Sequence, residues 1–319
     1  MRTLVRIRRG IESALAKLDP RWTKHAVRLL HWGVPAGLLI YLAWRISQIG
    51  WGQVWDARPA NIGFYAAVLL QFYVQPLADL AIYRNLLRAG GKIPLTVQLR
   101  KRYINTFLDY SGELYFFFWA RKHLRLKTTL LFHAVKDSNV LSASAGLVMV
   151  WMTIIAVAVS GGLKLPHLTA SGLWTFLSLG SLPLALALAI FFGGRRATML
   201  SRRQIASTFG IHVARSVTQL SLDLVVWWLS GALPSVVACL QFVALRVLVT
   251  RLPLIPNKDL VFVGVGIAAA GVLQVSEPKV AAALVIMSAL GLVQNLVFVG
   301  LPWFLEQFQI RRGARVLAS

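Results

Sequence analysis

Residues 61–83 read NIGFYAAVLLQFYVQPLADLAIY, a run with one carboxylate, Asp79, and no basic side chain. Its apolar residues do not alternate with polar ones, and it matches the roughly 20 residues a helix needs to cross hydrocarbon. Lipid offers no partner to unpaired backbone groups, so a continuous run of this length folds as a helix that bonds its own backbone. Similar runs lie at roughly 29–46, 138–159, 172–192, 213–232, 259–275 and 280–304. Two more segments, 98–119 and 236–257, are apolar but interrupted by charge, Gly or Pro.

The composition agrees. Of 319 residues, 57% are hydrophobic and 14% charged, with a mean hydropathy of +0.65, whereas a soluble domain carries about a quarter charged residues. The predicted class is all-α: a polytopic membrane helix bundle of seven or eight spans with one or two re-entrant segments. Residues 29–305 form the transmembrane domain. Residues 306–319 form a basic tail, and 1–28 a basic N-terminal segment in which Ile11, Leu15, Leu18 and Trp22 recur at helical spacing. That segment reads either as an amphipathic helix on the inner surface or as a plain positive-inside tail.

The net charge of +23 comes from 34 Lys and Arg against 11 Asp and Glu. In a chain this apolar, such an excess marks cytoplasmic loops and anionic lipid headgroups, not nucleic acid. Arg84, Arg88, Lys92, Arg100, Lys101 and Arg102 lie after the 61–83 run, up to the start of the 98–119 segment, and Arg121, Lys122, Arg125, Lys127 and Lys136 follow it. Both basic stretches belong inside, with the N-terminus, so 98–119 enters and returns on one side. The single cysteine, Cys239, excludes an intrachain disulfide, and no His/Cys set has metal-ligand spacing. No cofactor is implied; a Walker-type Gly-rich Lys loop is also missing.

An internal repeat runs through the rare acids. Gln75-Pro-Leu-Ala-Asp79-Leu80 with Tyr83 recurs as Gln219-Leu-Ser-Leu-Asp223-Leu224 with Trp227. Downstream, Ser111-Gly-Glu113-Leu114-Tyr-Phe116 recurs as Asn257-Lys-Asp259-Leu260-Val-Phe262. The halves are roughly 61–192 and 213–304. An odd number of crossings between the two copies inverts the second, which is the plan of many transporters. A strict inversion conflicts with an inside position for the basic tail of Arg311, Arg312 and Arg315, and this leaves seven or eight spans open.

Asp79 and Asp223 sit in spanning runs, where a carboxylate costs roughly 2.5–3.5 kcal/mol on insertion scales. Gln75, Asp79 and Tyr83, like Gln219, Asp223 and Trp227, recur every fourth residue and form one stripe. The stripes either face a shared polar cavity or pair with bases as packing glue. Glu113 and Asp259 begin helices, as substrate ligands or as capping charges at a helix N-terminus. Arg246, Arg251 and Lys258 lie near Asp259; the guanidinium groups either bind a phosphate-bearing headgroup or extend toward an interface.

Asn105 through Ser111-Gly112-Glu113, with Arg121 beyond, and Arg251-Leu252-Pro253 leading to Asp259, Gly264 and Gly266 resemble the flippase-like family that includes the transmembrane region of lysylphosphatidylglycerol synthases. The likeness covers roughly residues 30–305, and Pro256-Asn257-Lys258 stands where that family has a Gly-rich turn. The resemblance implies a bacterial inner-membrane protein that moves lipid. The leading expectation is a lipid transporter with an anionic or amphiphilic headgroup held by Asp79, Glu113, Asp223, Asp259, Gln75, Gln219, Arg246, Arg251 and Lys258. Two alternatives are an intramembrane lipid-modifying enzyme using Glu113 with Asp137, and a non-catalytic lipid-binding partner of a lipid-synthesis complex.

Overall fold

The computed structural model describes residues 34–88, 92–106, 110–161, 198, 200–251 and 258–302. The expectations for 1–28, 172–192, the Pro253–Pro256 break and the 306–319 tail lie outside the described residues. Every regular element among those described is helical: α1 (Val34–Ile49), α2 (Trp51–Asp56), α3 (Ile62–Leu86), α4 (Leu95–Asn105), α5 (Ser111–Leu124), α6 (Thr128–Val159), α7 (Arg202–Ser230), α8 (Val236–Arg251), α9 (Lys258–Val272) and α10 (Glu277–Asn295), which continues through a π turn at Leu296–Gly300. Among the described residues, three helices are long and apolar enough to cross a membrane: Ile62–Leu86, Thr128–Val159 and Glu277–Gly300.

Local chemistry sets the helix ends. Asn61 caps α3 by accepting a bond from the Gly63 N–H (2.8 Å). Ser201 and Gln204 form a reciprocal capping box on α7. Gly231 ends α7 at φ 63°, in the left-handed region that glycine enters without steric cost. At 32 residues α6 is about 48 Å long at the usual helical rise. It begins at Thr128, well before the expected 138–159 span, and includes His133, Lys136 and Asp137.

The 98–119 segment is two helices. α4 and α5 pack on each other in opposite directions: Lys101 meets Glu113, and the Ser111 hydroxyl donates to the Ile104 carbonyl (3.0 Å). Tyr110 holds the turn at φ 67°. α8 and α9 do the same. Arg246 reaches Asp259, and farther from the tip Phe242 lies against Gly266. The expected 259–275 run is thus the return arm of a second hairpin.

α3 and α7 pack antiparallel at the centre, linking Gln71 to Asp223 and Leu86 to Gln204. The base of the first hairpin lies at one end of this pair, where Arg84 donates to the Ile93 carbonyl (2.9 Å). The base of the second lies at the other end, where Ala232 and Leu233 join a core with Val54 and Phe64, and Arg45 pairs with Glu277 (3.1 Å). The first end carries Arg88, Lys92, Arg121, Lys122, Arg125, Arg202 and Arg203; toward the second, Trp44, Trp51, Trp55 and Trp228 are exposed. Basic residues at one interface and tryptophans at the other match the charge bias and aromatic belt of a bilayer.

The hairpin turn tests this packing. A Cβ on Gly112 would stand 2.1 Å from the Lys101 carbonyl oxygen, a backbone atom, whereas one on Gly210 meets nothing within 4 Å. Gly112→Ala is expected to destabilise the protein by about 1–3 kcal/mol or prevent folding. Gly210→Ala should be neutral or stabilise by up to about 1 kcal/mol. Thermal unfolding in detergent reads both.

Candidate functional site

Lys101, on the buried face of α4, sits between two acids. Its ammonium lies 2.7 Å from Asp79 Oδ2 on α3 and 3.1 Å from Glu113 Oε1 in the first turn of α5. All three side chains are nearly enclosed, at 4%, 6% and 12% exposure for Lys101, Asp79 and Glu113. The ammonium also lies 5.1 Å from the Tyr83 ring centre, and that ring packs on Phe116 (4.1 Å). Asn105 fixes the start of α5 by accepting from the Gly112 N–H (2.6 Å). Glu113 is therefore anchored where the helix dipole favours a negative charge.

The second hairpin builds the same set. Arg246 on α8 lies 2.5 Å from Asp223 on α7 and 3.9 Å from Asp259 in the first turn of α9. Its guanidinium is 5.6 Å from the Phe262 ring centre, and Trp227 packs edge-on to Phe262 (6.4 Å). Acid, cation, acid and two rings thus recur in one chain order, as Asp79, Lys101, Glu113, Tyr83 and Phe116, then as Asp223, Arg246, Asp259, Trp227 and Phe262. The corresponding residues are 144–146 positions apart. The copies differ at the second acid: Glu113 is enclosed and Asp259 is 65% exposed.

The two clusters are neighbours. Gln71 of α3 donates to Asp223, and Arg102, beside Lys101 on α4, feels the charges of Asp259 and Arg246. Arg102 lies 4.1 Å from the Phe72 ring centre and has no carboxylate within ion-pair distance among the described residues.

Of the residues singled out from the sequence, Asp79 and Glu113 meet at Lys101, and Asp223 and Asp259 meet at Arg246. Gln75 and Gln219 are partly buried on α3 and α7, one turn before the acids. Lys258 donates to the Thr250 carbonyl (3.1 Å) across the second hairpin. Arg251 closes α8, and its side chain lies outside the described residues. Asp137 is fully buried with Lys136 at 3.0 Å and a bond from the Thr198 hydroxyl. Glu113 and Asp137, the pair considered for group transfer, thus pair with different lysines.

Lys101, Arg102 and Gln71 were not singled out. Arg100–Arg102 reads in sequence as one more basic loop run, but Val97, Gln98 and Lys101 share a buried helical face. Lys101 also stands 145 residues before Arg246, and that spacing would have identified it. No family model, curated protein or solved structure matches the chain.

A cation buried between two carboxylates makes a sharp energetic test. Lys101→Met leaves two enclosed carboxylates unpaired and is expected to cost about 3–5 kcal/mol, with partial recovery when Asp79→Asn is added. Asp259→Asn removes a largely solvated charge and should cost under about 1 kcal/mol. Unfolding midpoints of the four proteins provide the comparison.

Proposed function

We propose that this protein is a flippase-like lipid transporter of the bacterial inner membrane, with a cytoplasmic N-terminus. One observation carries the reading: two acid–cation–acid clusters, built alike from a helix and a hairpin, lie side by side between apolar helices. Ionisable groups at membrane depth are expensive and line substrate pathways, and broken helices meeting between repeats are how many transporters hold substrate.

On this reading α3–α6 and α7–α10 are inverted copies, each a spanning helix, a re-entrant hairpin and a second spanning helix. α1, α3, α6, α7 and α10 then cross, and with the crossing expected from sequence at 172–192 the count is six instead of seven or eight. The conflict over the tail disappears, because six crossings return Arg311, Arg312 and Arg315 to the inside. The helix directions fit: α6 runs parallel to α7 through the Ser138–His212 and Ser142–Arg215 contacts, and α10 parallel to α3 through Gln294–Leu69 and Phe298–Phe72.

The headgroup contacts also shift. Arg246 is held by two carboxylates, so Arg102 is the guanidinium better placed to take a phosphate, and exposed Asp259 can receive an amine. These two present opposite charges from the two hairpins, which suits an amphiphilic headgroup carrying both.

Proteoliposomes of purified protein with a leaflet-asymmetric aminophospholipid test the proposal. The wild type is expected to speed exchange between leaflets with the lipid chemically unchanged. Arg102→Ala should slow it about tenfold or more, as loss of a charge-assisted contact implies. Exchange no faster than in protein-free vesicles refutes transport, and a changed lipid mass points to an enzyme.

A further inference from the structure

Around the Lys101 cluster several buried polar atoms find no partner among the described residues. Gln98, fully enclosed one turn before Lys101 on α4, leaves both its amide oxygen and nitrogen unbonded. The same holds for the Thr208 hydroxyl and His212 Nδ1, one turn apart on α7, and for Glu113 Oε2. Gln98 shares the buried face of α4 with Lys101, and Thr208 the buried face of α7 with His212. His212 feels the charges of Asp79 and Lys101, and Tyr83 those of Lys101, Asp79 and Glu113. Ser138 of α6 lies beside the Tyr83 hydroxyl and 3.2 Å from His212 Nε2. An unsatisfied buried polar atom costs about 1–3 kcal/mol, so five together would be a heavy burden on one small region. Bound water, which typically makes about three hydrogen bonds, removes that cost.

The second cluster is built otherwise. The repeat spacing carries Gln98 to Val243, Tyr83 to Trp227, and Thr208 and His212 back to Phe64 and Val68. Val243, Trp227, Phe64 and Val68 are all buried in one hydrophobic core with Phe242 and Leu284. Of these equivalents only the Trp227 indole N–H lacks an acceptor. The duplicated scaffold has thus kept its ionic cluster twice and its neutral polar shell once.

We infer that the space bounded by Tyr83, Gln98, Ser138, Thr208 and His212 is an internal water site that hydrates the Lys101 cluster, while the corresponding space among Phe64, Val68, Trp227 and Val243 is dry, the Arg246 cluster meeting solvent only on its Asp259 side. The first hairpin is then the half in which enclosed charge is hydrated from within, and the second the half in which an exposed acid meets solvent directly. The inference rests on the duplicated arrangement in the proposed reading and not on lipid movement, so it survives if leaflet exchange fails.

Tyr83 and Trp227 form an internal comparison, since both rings are almost wholly enclosed, at 1% and 0% exposure, and both react readily with hydroxyl radical. Pulsed radiolytic footprinting of the full chain in detergent, read by peptide mass spectrometry, is expected to modify Tyr83 several-fold faster than Trp227. Equal protection of the two overturns the inference. Thr208→Val gives a second readout with opposite signs: a hydrated hydroxyl is missed, lowering both Tyr83 labelling and the unfolding midpoint, whereas removing a dry, unbonded hydroxyl raises the midpoint and refutes the water site. If that variant does not fold, the wild-type comparison decides alone.

Discussion

The architecture turns on a lysine ammonium held between two carboxylates in a place nearly closed to solvent. Removing those charges from water costs several kcal/mol per ion, which only short contacts on both sides return. Lys101 can meet Asp79 and Glu113 together only if α4 reverses into α5 within a few residues and the hairpin lies on α3. The tight approach at Gly112, the left-handed Tyr110 and the Asn105 bond to the Gly112 N–H all serve that reversal. The Arg246 cluster imposes the same demand on α8 and α9 at the opposite end of the α3–α7 pair.

The hairpin bases lie at opposite ends of the α3–α7 pair, and the Lys101 and Arg246 clusters lie between them. Gln71 of α3, bonded to Asp223, and Arg102 of the first hairpin, which feels the charges of Arg246 and Asp259, tie the first half to the second cluster. A movement of the first hairpin against the α3–α7 pair would therefore be felt at both clusters. The copies are not equivalent: the first has a polar shell and an enclosed second acid, and the second an apolar shell and an exposed one. This asymmetry gives the site a tight side and an accessible side.

Much of this was legible in the residues. The apolar runs at 61–83, 138–159 and 280–304 are the three long apolar helices, and the paired acids located both clusters. The 98–119 run was legible as a segment that turns back, from the bases flanking it. That Lys258–Val272 packs back along Val236–Arg251 left no such sign, because its apolar residues read in sequence simply as a crossing. Lys101 was hidden for a related reason. Charge counting assigns a basic run to a loop, and only helical phase and the partner 145 residues away show that one of three adjacent cations points inward. Gln71 and His212 left no signal beyond being polar in an apolar run, since what they meet is set by packing between α3, α6 and α7.

The inverted placement of the two hairpins is the claim on which the rest stands, and sided thiol labelling reaches it most directly. In a Cys239→Ala background, single cysteines replace Lys92 or Arg125 at the base of the first hairpin and Ser235 or Gln274 at the base of the second, all four being exposed positions. An impermeant maleimide applied to sealed, outside-out membranes should label positions 235 and 274 at once, and 92 and 125 only after the inner face is opened. Labelling of both bases from the same side would contradict the account.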